Sequence, residues 1–211
     1  MTQTRAIGRL IALEGIDGAG KSTLQRELVR RLRRRGLQTA PWREPVDREI
    51  GRVAQVLGAT DPLAAAIEFT VDRWLARPRL ERLLRSRDIV LSDRSFFSTL
   101  AYQGSALPAR TRQGLARLQV AATVPPDRVL LLELSMDEAL QRVGARGAVR
   151  APLERAATLR RVAAAYRRFA RREGWKVLDA RRPPAELADR AEAWILAGLP
   201  SRRAPRVRGR G

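Results

Sequence analysis

The sequence predicts an α/β protein of three layers: a parallel sheet of about five strands with helices on both faces. Three observations carry this. Short, nearly uninterrupted apolar runs recur along the 211 residues, as strands buried on both faces require. Between them lie stretches with apolar residues at helical spacing, as helices covering such a sheet would have. No internal repeat or linker-like change of composition interrupts the alternation, so residues 1–199 are expected to form a single domain.

The first strand is read at residues 10–13 (Leu-Ile-Ala-Leu). Leu24, Leu28 and Leu32 follow at four-residue spacing and predict a helix ending near Gly36. Residues 37–42, 88–92, 128–134 and 175–178 supply the second to fifth strands. Ser135 and Glu138 have the spacing of a capping box, with the serine bonding a first-turn amide and the glutamate reaching back. The helix they start is expected to run to about Val143. Ligands of such sheets bind at the carboxyl ends of the strands, so the residues that follow strands are the first candidates for function.

Composition excludes several chemistries. Apolar content of 45% with 30% charged residues fits a soluble globular protein. No run approaches the roughly 20 apolar residues of a membrane helix, and no secretion-type hydrophobic region opens the chain; a cytoplasmic location is expected. With no cysteine and no histidine, disulfide, thiolate and imidazole chemistry are ruled out, and acid–base work falls to carboxylates or is unimportant. The net charge of +20 suits polyphosphate substrates and nucleic acids alike. Its arginines are spread over every segment, aromatics are few and no nucleic-acid module is recognisable, so only weak electrostatic binding to nucleic acid is expected. Residues 200–211 carry five arginines and no acid and read as a basic, disordered tail.

Directly after the first strand, Gly15-Ile16-Asp17-Gly18-Ala19-Gly20-Lys21-Ser22 matches G-x-x-x-x-G-K-[ST], the phosphate-binding loop of nucleoside triphosphate enzymes. The predicted fold is therefore of the P-loop NTPase type. Gly15, Gly18 and Gly20 let backbone amides turn inward at a helix N-terminus, where the helix dipole favours phosphate. Lys21 is expected on the β/γ-phosphates of ATP and Ser22 on Mg²⁺, with Ala19 and Thr23 completing the lining. Only Lys21 and Lys176 among 42 basic residues are lysines, so an arginine-using chain keeps a compact ammonium at this position.

The loop alone leaves kinases, GTPases and motor ATPases open. A second block narrows the choice: Asp93-Arg94 follows the third strand and continues to Ser98, Thr99, Ala101-Tyr102-Gln103-Gly104. The Asp-Arg pair itself recurs at Asp47, Asp72, Asp127 and Asp189, so the strand before and the pattern after carry the information. Asp93 is placed like a Walker-B carboxylate, able to hold Mg²⁺ directly or through water.

With these blocks in order, the chain resembles the thymidylate kinase family over nearly its whole length. The likeness includes the phosphate loop with Asp17, Arg43-Glu44-Pro45, the segment from Phe69 to Asp72-Arg73, the Asp93 to Gly104 block, and Pro126-Asp127 before a strand. The resemblance implies transfer of the γ-phosphate of ATP to dTMP, with Mg²⁺ and as a homodimer. It further implies Phe69 stacked on the pyrimidine, Arg73 on the base, Ser98 and Thr99 at the base edge and Tyr102 beside the deoxyribose. Arg43 and Arg94 would hold the acceptor phosphate near Glu44 and Pro45, and Asp17 would touch the acceptor's sugar or phosphate region. The glycine-punctuated basic stretch at 142–152 reads as a lid; the resemblance implies that a member of this family without an arginine in its phosphate loop carries one in the lid, which points to Arg150 or else Arg146 at the transferred phosphate.

Three departures bear on the acceptor. Val46-Asp47 replaces two glycines and a threonine, bringing an acid into the acceptor loop; Ser95 replaces an aromatic; and the lid's usual D-R-F-E segment is eroded to Arg150-Ala151-Pro152-Leu153-Glu154. A P-loop kinase for another nucleoside monophosphate or small metabolite stays open, as does a basic nucleic-acid-binding P-loop protein.

Overall fold

Apolar alternation along the central strands decides where the helices go. The computed structural model describes residues 8–144 and 152–199. Its sheet comprises β1 (Arg9–Glu14), β2 (Thr39–Arg43), β3 (Ile89–Asp93), β4 (Arg128–Glu133) and β5 (Lys176–Asp179). The strands lie in the order β2-β3-β1-β4-β5, and every neighbouring pair is parallel. Successive side chains of a strand face opposite sides of the sheet. Ile11, Leu13, Ile89 and Leu91 accordingly join Leu24, Leu28 and Leu32 of α1 (Lys21–Arg34) in the main core. Leu10 and Val90, one residue out of phase, pack with Trp42 and with Leu80 and Leu84 of α3 (Pro62–Ser86). Helices thus cover both faces. Leu28 and Leu32 are fully buried, each contributing about 1.5–3 kcal/mol relative to exposure.

The remaining helices are α2 (Arg48–Leu57), α4 (Phe96–Tyr102), α5 (Ala109–Ala122), α6 (Met136–Gly144), α7 (Pro152–Glu173) and α8 (Pro184–Ala197). All five predicted strands are present, shifted by one or two residues. The second starts at Thr39 rather than Leu37, because Gly36 takes a left-handed conformation (φ 76°) and the Leu37 amide turns back to the Leu32 carbonyl. The capping box is half formed: Ser135 Oγ accepts from the Glu138 amide at 3.4 Å, while the Glu138 carboxylate takes the serine's own hydroxyl proton at 2.5 Å.

Asp127 explains the Pro-Asp element before β4. Its carboxylate accepts from the Leu10 amide at 2.8 Å and from Arg9 at 2.7 Å, fixing the entry of β4 beside β1. With β1 flanked by β3 and β4, the connections that follow β1 and β3 open side by side at the carboxyl edge of the sheet. That is the switch point where ligands of this architecture bind. Among the described residues, no helix is long and apolar enough to cross a membrane.

Candidate active site

The loop between β1 and α1 has the geometry of an anion cradle. Gly15 sits at φ 145°, and a Cβ there would stand 2.5 Å from the Leu132 carbonyl oxygen, so only glycine fits. Gly20 (φ 93°) precedes α1, whose N-terminus has no side-chain cap and no acid in its first turn. Its first amides are left for an external anion. Lys21 folds back so that Nζ donates to the carbonyls of Gly15 (2.9 Å) and Ile16 (3.0 Å). Burial first, and the neighbouring Arg94 second, push its ammonium down to about 8, against the pull of Asp17, Asp93 and Glu14. A buried cation in this state gains most from a phosphate.

Next to the loop, the Ser22 hydroxyl donates to the Asp93 carboxylate at the end of β3. These two oxygens are of the hard type that Mg²⁺ prefers. Among the described residues no group of three or more acidic side chains is arranged to hold a metal alone. A cation completed by water and substrate phosphates suits that donor set.

Arg94 follows in a left-handed backbone conformation (φ 79°), uncommon for a residue with a side chain. Its amide donates to the Leu13 carbonyl at 3.0 Å, and its own carbonyl accepts from Ser92 Oγ at 2.5 Å. The guanidinium reaches Asp17 at 2.5 Å and Ser98 Oγ at 3.0 Å and lies 5.2 Å from the Tyr102 ring centre. Burial opposes its charge, but the neighbouring anionic groups, the carboxylates of Asp17 and Glu14 among them, outweigh that and hold its pKa well above the ordinary guanidinium value. The Tyr102 hydroxyl accepts from the Asp17 amide at 3.2 Å, and burial pushes its phenol up to about 12.

A second buried cluster lies behind the acceptor loop. Arg73 Nε meets the Glu44 carboxylate at 2.5 Å, with both side chains nearly excluded from solvent. Burial raises Glu44, and Arg73 partly offsets the shift. The same guanidinium donates to Thr99 Oγ1 (2.9 Å), the Phe69 carbonyl (3.2 Å), the Ser95 carbonyl (3.2 Å) and Gln119 Oε1 (3.5 Å). Of its five N–H groups, one on Nη2 is left without an acceptor among the described residues. Phe69 is half-buried and joins none of the apolar clusters among the described residues. Arg43 ends β2 opposite Asp93, exposed and with no ion pair among the described residues.

The sequence-predicted residues that the structure describes gather at the carboxyl ends of β1, β2 and β3 and on the helices beside them. Ser98 and Thr99 are buried, and their hydroxyls accept from Arg94 and Arg73 respectively. Arg146 and Arg150 lie outside the described residues. Arg142, at the edge of the same stretch, donates from both terminal nitrogens to the Ala180 carbonyl at 3.2 Å. Asp47, the acid in the loop after β2, caps α2, accepting from the amides of Glu49 (2.7 Å) and Ile50 (3.0 Å).

Sequence reasoning missed Glu14 and Tyr166. Glu14 is fully buried at the end of β1 and Tyr166 rises from α7 to meet it at 2.9 Å. The available signal was scarcity: the chain has two tyrosines, and both bring their hydroxyls here.

Comparison with known proteins agrees with this geometry. Residues 13–191 match the family described as thymidylate kinase. The chain belongs to the thymidylate kinase family. It is 35% identical over 196 residues to a probable thymidylate kinase of Pyrobaculum calidifontis, covering 92% of this chain and 98% of the relative. A probable thymidylate kinase of Sulfurisphaera tokodaii is 33% identical over 189 residues, covering 86% and 93%. The thymidylate kinase of Prochlorococcus marinus strain MIT 9303 is 38% identical over 192 residues, covering 82% and 87%. The family match takes in the loop, the Asp93–Arg94 turn and α7 together, so Glu14 and Tyr166 lie inside the thymidylate kinase region.

Proposed function

We propose that this chain is an ATP:dTMP phosphotransferase, a cytoplasmic homodimer whose residues up to 199 act as one kinase domain. The observation that carries the reading is the convergence of the uncapped α1 N-terminus, Lys21 and the Ser22–Asp93 pair with Arg94 at adjoining strand ends. A donor and an acceptor phosphate meet there.

In this reading the loop amides from Gly15 to Thr23 and the Lys21 ammonium hold the β- and γ-phosphates of ATP. Arg94 and Arg43 hold the acceptor phosphate, Phe69 stacks on the base, and the uncommitted Nη2 hydrogen of Arg73 is available to a base carbonyl. Glu44 and Pro45 shape the acceptor loop, Tyr102 flanks the deoxyribose, and Asp17 touches the acceptor's sugar or phosphate region beside Arg94. Mg²⁺, held through Ser22 and Asp93, supplies countercharge to the donor phosphates. An acceptor phosphate oxygen attacks the γ-phosphorus, the bond to the bridging β–γ oxygen breaks, and ADP leaves with that electron pair. The transition state spreads negative charge over the transferred group, so fixed cations do most of the work. The absence of histidine is then no handicap. Arg150 or Arg146 is assigned the remaining positive charge.

Homodimerisation is supported by an apolar stripe. Ile67, Val71, Trp74 and Leu75 of α3 are 39–60% exposed, beside exposed Val53 and Val56 of α2. Their spacing puts the α3 residues on one helical face. Light scattering of the wild type and of Trp74→Glu reads the assembly; a wild-type monomer would remove the dimer.

The function is tested by ADP release with dTMP, dUMP, dCMP, AMP and GMP as acceptors. Preferred turnover of dTMP is expected. Equal or absent stimulation by dTMP would remove the acceptor assignment and leave the kinase assignment to be judged on the other four.

A further inference from the structure

Glu14 presents an unusual arrangement: a carboxylate with no solvent exposure, one residue before the phosphate loop. A buried charge is costly unless several donors satisfy it. Oε1 accepts from the Ser95 amide (2.8 Å) and Ser95 Oγ (2.7 Å), and Oε2 from Ser98 Oγ (2.7 Å) and the Tyr166 hydroxyl (2.9 Å). Three elements meet at this one group: the end of β1, the β3–α4 turn that carries Arg94, and α7.

Proton counting gives the cluster a direction. The Ser98 and Tyr166 oxygens are 2.9 Å apart and both touch Glu14 Oε2, so three contacts share two hydroxyl protons. Burial, and then the adjacent Glu14 charge, raise the Tyr166 phenol well above its ordinary value, so it stays a donor. With both protons directed to the carboxylate, Ser98 keeps its lone pairs for Arg94 Nη1, which donates to it at 3.0 Å. The two hydroxyls stand as neutral spacers between Glu14 and Arg94, whose ion pair among the described residues is with Asp17 instead. The Phe97 ring of α4 also lies 5.5 Å from Phe169 of α7 and 4.7 Å from Trp175, just before β5, so α4 and α7 are packed together beside Ser98 and Tyr166.

We infer that Tyr166 is a positioning residue for phosphoryl transfer: with Ser98 it saturates Glu14, so that Arg94 is presented to the acceptor phosphate instead of collapsing onto a buried carboxylate. The inference rests on the acceptor-phosphate role of Arg94.

Tyr166→Phe removes one hydroxyl and keeps the ring. Its kcat/KM for dTMP is expected to fall about tenfold, as loss of a hydrogen bond to a charged group would give, with the KM for ATP unchanged. In an Arg94→Lys background the same change is expected to have little further effect, because interacting residues are non-additive. A merely structural tyrosine would lower kcat/KM by the same factor in both backgrounds, which would overturn the inference. Hydrogen exchange at the Ser95 amide, faster in Tyr166→Phe, gives a readout independent of turnover; unchanged exchange would also overturn it. Should Tyr166→Phe fail to fold, Ser98→Ala carries the same kinetic expectation. Wild-type enzyme without dTMP turnover refutes the Arg94 role, and the inference with it; active wild type with a silent Tyr166→Phe refutes the inference alone.

Discussion

The Ser22 hydroxyl donates to the Asp93 carboxylate, joining the first turn of α1 to the carboxyl end of β3. The contact brings two oxygens of the hard type that Mg²⁺ prefers beside the uncapped N-terminus of α1. Asp93→Asn keeps an acceptor for the hydroxyl but removes the charge. Turnover is expected to fall by about 10- to 100-fold, the range for weakened support of a bound metal, with a higher Mg²⁺ concentration needed for half-maximal rate. Initial rates across a magnesium series check this; an unchanged magnesium curve would detach Asp93 from the cation.

Lys21 should set the alkaline limit of ATP capture. In the free protein its ammonium is pushed down to about 8, mainly by burial and then by Arg94. Above that pH the lysine loses its proton and the loop its point charge, so kcat/KM for ATP, which reports the free enzyme, is expected to decline. Bound phosphates restabilise the ammonium, so kcat alone should persist to higher pH. For stability the sign is opposite. Between about 8 and the ordinary 10.5, the unfolded chain binds more protons than the folded one, so this group makes stability rise with pH. Lys21→Met should abolish turnover while raising the melting temperature, since it removes a buried charge; retained turnover would sink the loop assignment.

Glu44 and Arg73 form an ion pair whose members cannot be removed singly without cost. Both side chains are nearly buried, and losing one partner leaves an uncompensated charge, typically worth about 3–5 kcal/mol. Glu44→Ala is therefore expected to destabilise by that order in urea unfolding and to weaken acceptor binding through the loss of Arg73 positioning. Glu44→Leu combined with Arg73→Met should recover part of the stability without recovering turnover. Full activity in the double variant would show that neither group addresses the acceptor.

The layout of the sheet was legible because both-face burial leaves a simple signature: residues 10–13, 89–91 and 129–132 are uninterrupted apolar runs, and the strands read around them at 10–13, 88–92 and 128–134 each coincide with an observed strand to within one residue. Chemistry at strand ends was legible for a similar reason, since Lys21, Asp93 and Arg94 sit in motifs defined by chain spacing. What local spacing cannot encode is which distant side chains share a proton. Tyr166 meets Glu14 across 152 positions, and Gln119 meets Thr70 and Arg73 from a third helix; nothing in their own neighbourhoods marks them.

Asp47 is the departure from the family pattern that most directly concerns the acceptor, and its structural setting gives it another role. Its Oδ1 accepts from the amides of Glu49 and Ile50, the arrangement of a helix N-cap. Its own amide and that of Val46 donate to the carboxylate of buried Asp72 at 2.7 and 2.8 Å. The loop conformation is thus set by Asp72 from α3, and the Asp47 carboxylate is spent on α2. Asp47→Ala is expected to cost about 1 kcal/mol of stability, as loss of an N-cap does, and to leave the acceptor KM unchanged; Asp47→Asn should restore the stability. Asp72→Ala removes the acceptor of two loop amides and should raise the acceptor KM. Thermal unfolding and dTMP saturation curves on the three variants separate the roles. A sharply lower acceptor KM in Asp47→Ala would mean that its charge repels the acceptor phosphate after all, and the cap would then be incidental to why the acid stands there.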